Sequence, residues 1–143
     1  GPARDSVEGS FKRLPADRIR FMGSADCEQL PALYAGADLL TWPAVNEAYG
    51  MAMLEAQAAG LPVIAGKTGG VPDVVHNGET GVLCPVGNAR AFAGALAGLL
   101  DTPSQLKKFS KSALTLTASE NDISNAARTL DSVLRLSQET KVA

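Results

Sequence analysis

"DLLTWPAVNEAYGMAMLEAQAAGLPVIAG", residues 38–66, places a run of helix-forming residues between two short apolar segments. The apolar segments, 38–43 and 61–66, each end at a proline or a glycine, as short buried strands often do. The run between them, 50–60, is rich in Ala and Met and ends at a glycine, which is typical of a helix. Strand, helix and strand in this order predict a parallel β-α-β unit, because parallel neighbours need a crossover connection.

Two further apolar segments extend this pattern in both directions along the chain. Residues 18–23 and 80–85 are also short, apolar and followed by Gly or Pro positions, so we predict four strands. A helix is predicted in 24–37, with Ser24 or Asp26 as its N-cap. The predicted fold class is therefore α/β, a Rossmann-like parallel sheet with helices on both faces.

The two ends of the chain differ in character. After the last predicted strand, 88–103, 104–116 and 121–138 carry apolar residues at helical spacing, which predicts three additional helices. The start, 1–15, indicates a turn and a helix with no strand before them. A doubly wound sheet normally begins with a strand, so we expect residues 1–143 to be one domain that lacks its first strand–helix unit.

Composition excludes several classes of protein. Hydrophobic residues make up 45% of the 143 residues, enough for a core without disulfide or metal support. The net charge of -2 gives no electrostatic reason to expect a nucleic acid partner. Cys27, Cys84 and the single histidine, His76, have no zinc-ligand spacing, so no metal site is expected. Without a signal peptide or a long apolar run, the sequence indicates reduced thiols and a cytoplasmic location.

The loop before the predicted helix at 50–60 is the strongest candidate site. In open parallel sheets, ligands bind beyond the carboxyl ends of the strands, and Glu47 lies there. The free N–H groups of a helix beginning near Gly50 favour an anion, and the glycine lets a phosphate approach the backbone. Glu47 has two readings from sequence alone, a ligand-binding carboxylate or an ordinary N-cap or first-turn residue.

Glu55 stands out because it is the only charged residue from Ala48 to Gly66. The predicted helix around it is apolar on all sides, so we expect it to be buried nearly all round. A buried carboxylate needs a partner. That partner is either a cation or backbone donor within the protein, or a pair of hydroxyls on a ligand.

The remaining polar motifs give weaker signals. "GKTGG", residues 66–70, resembles the end of a phosphate-binding P-loop, but the first glycine of that motif is absent and the preceding residues are predicted strand. Gly69 and Gly70 indicate either a tight turn or a place where a ligand touches main chain. His76 is predicted to be a surface or capping histidine, and Trp42 a packing residue.

The stretch from Glu47 to Asn88 closely resembles the E-x7-E and glycine-loop region of the group 1 retaining glycosyltransferases, which have the two-domain GT-B fold. The similarity extends to residues 18–44 and to the trailing helices. The resemblance implies a carboxyl-terminal domain that binds a nucleoside diphosphate sugar, a UDP-sugar or GDP-sugar. It also implies transfer of the sugar to an acceptor hydroxyl with retention, without a cofactor or bound metal.

The resemblance also implies a role for each matching residue. Glu47, the catalytic candidate, binds hydroxyls of the donor sugar, and Glu55 accepts hydrogen bonds from both ribose hydroxyls. Main-chain N–H groups from the loop into the helix start face the sugar and the diphosphate, and the segment after the first strand lies beside the base. The implied donor site consists of Met22, Gly23, Glu47, Tyr49, Gly50, Met51, Ala52, Met53, Glu55, Gly69 and Gly70.

The chain also departs from the family pattern. The Arg and Lys that neutralise the diphosphate in the family lie upstream of the matching region, together with the acceptor-binding amino-terminal domain. Lys67 is a candidate to bind phosphate in place of that Arg and Lys. We therefore expect a fragment that is inactive alone and that needs the missing domain to act on a glycan or lipid acceptor. The expected role of the full enzyme is polysaccharide or glycolipid biosynthesis, with peripheral association with a membrane. The alternatives are a non-catalytic nucleotide or nucleotide-sugar binding module and an interaction domain without a ligand.

Overall fold

A three-stranded parallel sheet lies at the centre of the computed structural model, which describes residues 3–120 and 122–139. Its strands are β1 (Leu40–Trp42), β2 (Val63–Gly66) and β3 (Gly81–Cys84), and they lie side by side in chain order. Three of the four predicted strands are therefore confirmed, and so is the predicted α/β fold class with a parallel sheet.

Seven α-helices lie within the described residues. The helices after β3 match the three predicted from apolar spacing, and the predicted first helix is also present. None of the described helices is long and apolar enough to cross a lipid bilayer. The helices are α1 (Arg4–Ser10), α2 (Leu30–Ala35), α3 (Met51–Ala58), α4 (Val71–Val74), α5 (Ala89–Leu100), α6 (Pro103–Glu120) and α7 (Ile123–Glu139).

The predicted strand at 18–23 is wrong. Ala16–Arg18 forms one turn of 3-10 helix, and the residues after it pair with no described strand. A strand is stable only when its N–H and C=O groups join a ladder, and here β1 pairs with β2 alone among the described strands. The segment instead lies at the surface, where the ring of Phe21 packs edge-on against Phe11 with 6.2 Å between the ring centroids.

The two faces of the sheet bury two separate clusters, because successive side chains of a strand point to opposite faces. Val63 and Ala65 of β2 pack into one cluster with residues of α3 and α4. Ile64, between them, packs into the other cluster with residues of α5 and α6, including Leu99 and Phe109. All four residues of β2 are buried, as expected for a central parallel strand covered on both sides.

Helix α3 buries only one side, which corrects the prediction that it is buried nearly all round. Met53, Ala56 and Gln57 are buried, whereas Glu55 is exposed. Two residues correspond to about 200° around a helix, so Glu55 lies almost opposite Met53. The buried polar side chain is Gln57, whose amide donates to the Val74 carbonyl at 2.9 Å.

Helix α2 is shorter than predicted and begins only at Leu30. Asp26, one of the two predicted caps, organises the turn before it. The Asp26 carboxylate accepts from the N–H groups of Glu28, at 3.0 Å, and Gln29, at 2.8 Å. This turn brings the start of α2 towards α3, which α2 contacts directly.

Candidate functional site

The loop 44–50 leaves the carboxyl end of β1 through a tight turn at Pro43. The Ala44 N–H donates to the Trp42 carbonyl at 2.6 Å, the hydrogen-bond pattern of a γ-turn, a type common at strand ends. The turn directs the chain across the end of the sheet towards α3. The loop that carries Glu47 is therefore anchored directly to a strand.

A second loop, 66–70, packs directly against the first, main chain to main chain. A side-chain carbon added at Gly66 would overlap the Ala44 carbonyl, and one added at Gly69 would overlap the Glu47 carbonyl. Gly69 also has φ +49°, a conformation that residues with a side chain rarely adopt. Both glycines are therefore required for the close approach of the two loops.

Hydrogen bonds join the same two loops. The Gly70 N–H donates to the Ala48 carbonyl at 2.9 Å. The Thr68 hydroxyl donates to the Val45 carbonyl at 3.4 Å. The sequence predicts either a tight turn or a ligand contact at Gly69-Gly70. The described contacts fit a tight turn that packs against loop 44–50, because the Gly70 N–H is already bonded to the Ala48 carbonyl.

The first turn of α3 contains main-chain N–H groups that no described residue uses. Gly50 is its N-cap with φ +99°, and no side chain caps the helix, so the reading of Glu47 as an N-cap is wrong. The N–H groups of Met51 and Ala52 have no hydrogen-bond partner among the described residues. The Met53 N–H differs from them, because it donates to the Gly50 carbonyl at 2.9 Å, and the Met53 side chain is fully buried.

Glu47 is half-buried and directly contacts the end of β1. Its Oε2 accepts a hydrogen bond from the indole Nε1 of Trp42 at 3.3 Å. Trp42 is 39% exposed, so it is not the simple packing residue that the sequence suggested. Tyr49, two residues after Glu47, is also exposed and lies beside Met51 in a shallow groove between α3 and α7.

Glu55 faces a cavity of about 420 Å³ between α2 and α3. Its carboxylate makes no hydrogen bond or ion pair with any other described residue. Burial raises the pKa of Tyr34 above its ordinary value, and the nearby Glu55 carboxylate raises it further. The other residues that line this cavity are Cys27, Leu30, Pro31, Tyr34, Ala58 and Ala59.

Met22 and Gly23 line a different cavity, of about 570 Å³, with residues of α1. The described structure therefore does not place them in the Glu55 cavity, although Cys27, four residues after Gly23, reaches it. Tyr34 and Cys27 are the residues near Glu55 that the sequence analysis missed. Tyr34 could be identified from the sequence, because it is the only residue with a hydroxyl on the apolar side of the helix predicted at 24–37.

Lys67 lies in loop 66–70, and neither Lys67 nor His76 lines the cavity at Glu55. The main-chain N–H of Lys67 donates to the Cys84 carbonyl at 2.8 Å, and its exposed side chain has no ion pair in the described part of the chain. His76 lies 3.6 Å from the Glu120 carboxylate and is partly exposed, in agreement with the predicted surface histidine. Within 3–120 and 122–139, no group of three or more His, Cys, Asp or Glu residues could hold a metal ion.

Comparison with known proteins identifies relatives in both sequence and structure. The D-inositol 3-phosphate glycosyltransferase of Corynebacterium glutamicum is 46% identical over 84 residues, which are 59% of this chain and 20% of the relative. Sucrose-phosphate synthase from Thermosynechococcus elongatus matches the whole chain with a TM-score of 0.85 and 29% identity, over 36% of its own length. Anabaena HepE in complex with UDP-glucose matches 90% of this chain with a TM-score of 0.77 and 26% identity, over 36% of its own length.

The chain spans about a fifth of the length of the curated relative from C. glutamicum. The family model "Glycosyl transferases group 1" matches residues 2–115, well over half of the chain. This match covers the sheet, both candidate loops and the cavity at Glu55. The predicted resemblance is thereby confirmed, and the chain belongs to the group 1 glycosyltransferases.

Proposed function

We propose that this chain is the donor-binding domain of a retaining hexosyltransferase that uses a nucleoside diphosphate sugar. The observation that carries the proposal is the placement of two carboxylates around an open helix start. Glu47 lies on the loop before α3, the free N–H groups lie at its first turn, and Glu55 faces a cavity one turn further along. This order matches the order of sugar, diphosphate and ribose in such a donor.

The helix start suits the diphosphate. The unpaired N–H groups of Met51 and Ala52, together with the helix dipole, attract negative charge. Charge grows on the leaving diphosphate as the glycosidic bond opens, so donors fixed at this point stabilise the transition state. Gly50 leaves the approach to these groups free of a side chain, and Glu47 binds hydroxyls of the sugar on the loop beside them.

The cavity at Glu55 suits the nucleoside. An ionised carboxylate has only acceptor sites, and the 2′ and 3′ hydroxyls of a ribose supply two donors. The walls contributed by Leu30, Pro31 and the ring of Tyr34 are apolar, as is typical of small-molecule sites. We propose that the base points from this cavity towards Met22 and Gly23, since the short segment that follows them leads to Cys27 in its wall.

In this proposal, the acceptor substrate binds to a part of the protein outside this chain. A phosphorylated cyclitol is the first acceptor to test, because the curated relatives are named as D-inositol 3-phosphate glycosyltransferases. The proposed setting is cytoplasmic synthesis of a glycan or glycolipid, in which the amino-terminal domain supplies the acceptor site. Transfer of the sugar to an acceptor by the full-length protein would show that it is an enzyme and not a non-catalytic nucleotide-sugar binding module.

Calorimetric titration of UDP, GDP and ADP and of UDP-glucose and GDP-mannose tests the donor site. We expect at least one nucleotide to bind, and Glu55→Ala to weaken that binding at least about ten-fold, because hydrogen bonds to a charged acceptor are lost. Glu79→Ala is the matched control, since Glu79 is an exposed carboxylate in the turn before β3 and does not line the cavity at Glu55. Absence of binding by all five compounds at millimolar concentration would contradict the proposal.

Thiol labelling gives an independent test on the unmodified chain. Cys27 is exposed in the wall of the Glu55 cavity, whereas Cys84 is buried and burial raises the pKa of its thiol. Iodoacetamide should therefore label Cys27 and leave Cys84 unreacted. A bound nucleotide should slow the labelling of Cys27, and an unchanged rate at saturating nucleotide would place the nucleoside elsewhere.

A further inference from the structure

Trp42 lies at the carboxyl end of β1, directly before loop 44–50. As the last residue of β1 it pairs in register with Ala65 of β2. Its carbonyl also accepts the Ala44 N–H at 2.6 Å, in the turn that starts loop 44–50. The main chain that carries the indole is therefore fixed on both sides, by the sheet and by the turn.

The indole ring is directed at one oxygen of Glu47. Its Nε1–H can only donate, and it lies 3.3 Å from Oε2, which is longer than the most common N–H···O distance but within reach. The other carboxylate oxygen, Oε1, makes no hydrogen bond to any described residue. One oxygen is thus engaged by the protein, and the other is left for a ligand.

The main chain of Glu47 is fixed separately, from the opposite loop. The Glu47 carbonyl packs against Gly69, and the next carbonyl, that of Ala48, accepts the Gly70 N–H at 2.9 Å. The residue is therefore held at two independent points, its main chain by loop 66–70 and its carboxylate by the indole. A binding group that is ordered before the ligand arrives loses less entropy on binding.

We propose that Trp42 is a positioning residue that sets the orientation of the Glu47 carboxylate for the donor sugar. The inference rests on the proposed function, in which Glu47 binds hydroxyls of that sugar. The indole N–H selects the carboxylate rotamer in which Oε1 faces the ligand. Trp42 itself touches neither the diphosphate nor the ribose in this arrangement, so its effect is confined to the sugar part of the donor.

The hydrogen bond can be measured without a ligand, because Trp42 is the single tryptophan of the chain and gives one indole signal. In a ¹H–¹⁵N NMR spectrum, Glu47→Ala should shift that signal and speed exchange of its proton with water. Glu79→Ala, the control, should leave both unchanged. An indole signal that is the same in Glu47→Ala and in the unmodified chain would overturn the proposal.

The consequence for binding is measured with UDP and UDP-glucose, through the ratio of the Kd for UDP-glucose to the Kd for UDP. Trp42→Phe removes the indole N–H and keeps an aromatic ring. It should raise this ratio about ten-fold, the usual weight of one hydrogen bond to a charged group, and leave the Kd for UDP within about two-fold. Benzothienylalanine at position 42, which keeps the ring shape without the N–H, should have the same effect.

The two proposals fail in different ways. If the chain binds GDP and GDP-mannose but not the UDP compounds, the same ratio is measured with that pair. If Glu47→Ala leaves the ratio unchanged, or if none of the five titrated compounds binds, the proposed donor role fails and this inference fails with it. If Glu47→Ala raises the ratio but Trp42→Phe does not, only the positioning role is overturned. In the Glu47→Ala background, Trp42→Phe should have no further effect, and an additional loss there would contradict action through Glu47.

Discussion

The loop pair 44–50 and 66–70 and the cavity at Glu55 are built in opposite ways. In the loop pair, main chain packs on main chain, and the glycines of 66–70 leave no room for a side chain. The cavity is formed by side chains of α2 and α3, and the carboxylate in its wall has no hydrogen-bond partner among the described residues. The glycine contacts between the loops are made entirely within the protein, whereas the wall of the cavity holds a carboxylate that no described residue uses.

This difference separates stability from binding. A side chain added at Gly66, Gly69 or Gly70 must move main chain, so it should cost folding free energy. A change at Glu55 leaves the packing of α3 intact, because the side chain is exposed. The same carboxylate should therefore matter for ligand affinity and hardly at all for folding.

Substitution in the loop pair should have the largest effect. Gly69→Ala is expected to lower the free energy of unfolding by about 3 kcal/mol, because it combines a left-handed backbone with a clash against the Glu47 carbonyl. Urea unfolding followed by circular dichroism measures the loss.

Gly78→Ala is the matched control for that substitution. Gly78 has φ +82° but open space where a side-chain carbon would lie. The control therefore carries only the backbone cost, about 1 kcal/mol. Equal losses in Gly69→Ala and Gly78→Ala would show that the close approach of the two loops contributes nothing, and the contrast between the two regions would disappear.

An intermediate effect is expected on the titration of Tyr34. Glu55→Gln removes the charge that raises the pKa of the Tyr34 phenol, so that pKa should fall but stay above its ordinary value, because burial is the larger cause. Absorbance near 295 nm in the Tyr49→Phe background isolates the signal, since the chain has two tyrosines.

The sign of the pH effect follows from the raised pKa. The stabilisation linked to the neutral Tyr34 phenol is complete below the ordinary phenol pKa of about 10 and is lost as the pH rises through the raised value. In Glu55→Gln the pKa of Tyr34 is raised less, so this loss should be smaller and should be complete at a lower pH. A Tyr34 titration that does not move would mean that the two side chains do not share the cavity.

The smallest effect is expected for the stability of Glu55→Ala. The exposed side chain has no hydrogen bond or ion pair to lose among the described residues, so the free energy of unfolding should change by no more than about 0.5 kcal/mol. Thermal and urea unfolding measure the change. A loss of 2 kcal/mol or more would indicate an internal partner and would remove the contrast with the loop pair.

The sequence predicts the sheet better than it predicts the surroundings of the glutamates. The strands at β2 and β3 follow from short apolar runs with glycine or proline at their ends, which are local signals. The segment 18–23 carries the same signal and forms no strand, because pairing depends on a neighbour that local sequence cannot supply.

The burial of α3 was mispredicted for a related reason. Alanine is compatible with either side of a helix, so the composition of α3 does not show which side faces the core. The side is set by Met53 and Gln57, which are four residues apart, and this places Glu55 outward. The hydrogen bond from Trp42 to Glu47 depends on loop geometry that no spacing rule describes.

The close main-chain approaches at Gly66, Gly69 and Gly70 also limit how this sequence can evolve. Nearly every single substitution at these positions adds a side-chain carbon where the other loop lies, so the loop pair can change only if both loops change together. The cavity at Glu55 is walled by ordinary side chains that can be exchanged one at a time. Under the proposed function, new preferences for a base can therefore arise by stepwise mutation of α2, while the loop pair proposed to hold the sugar stays the same.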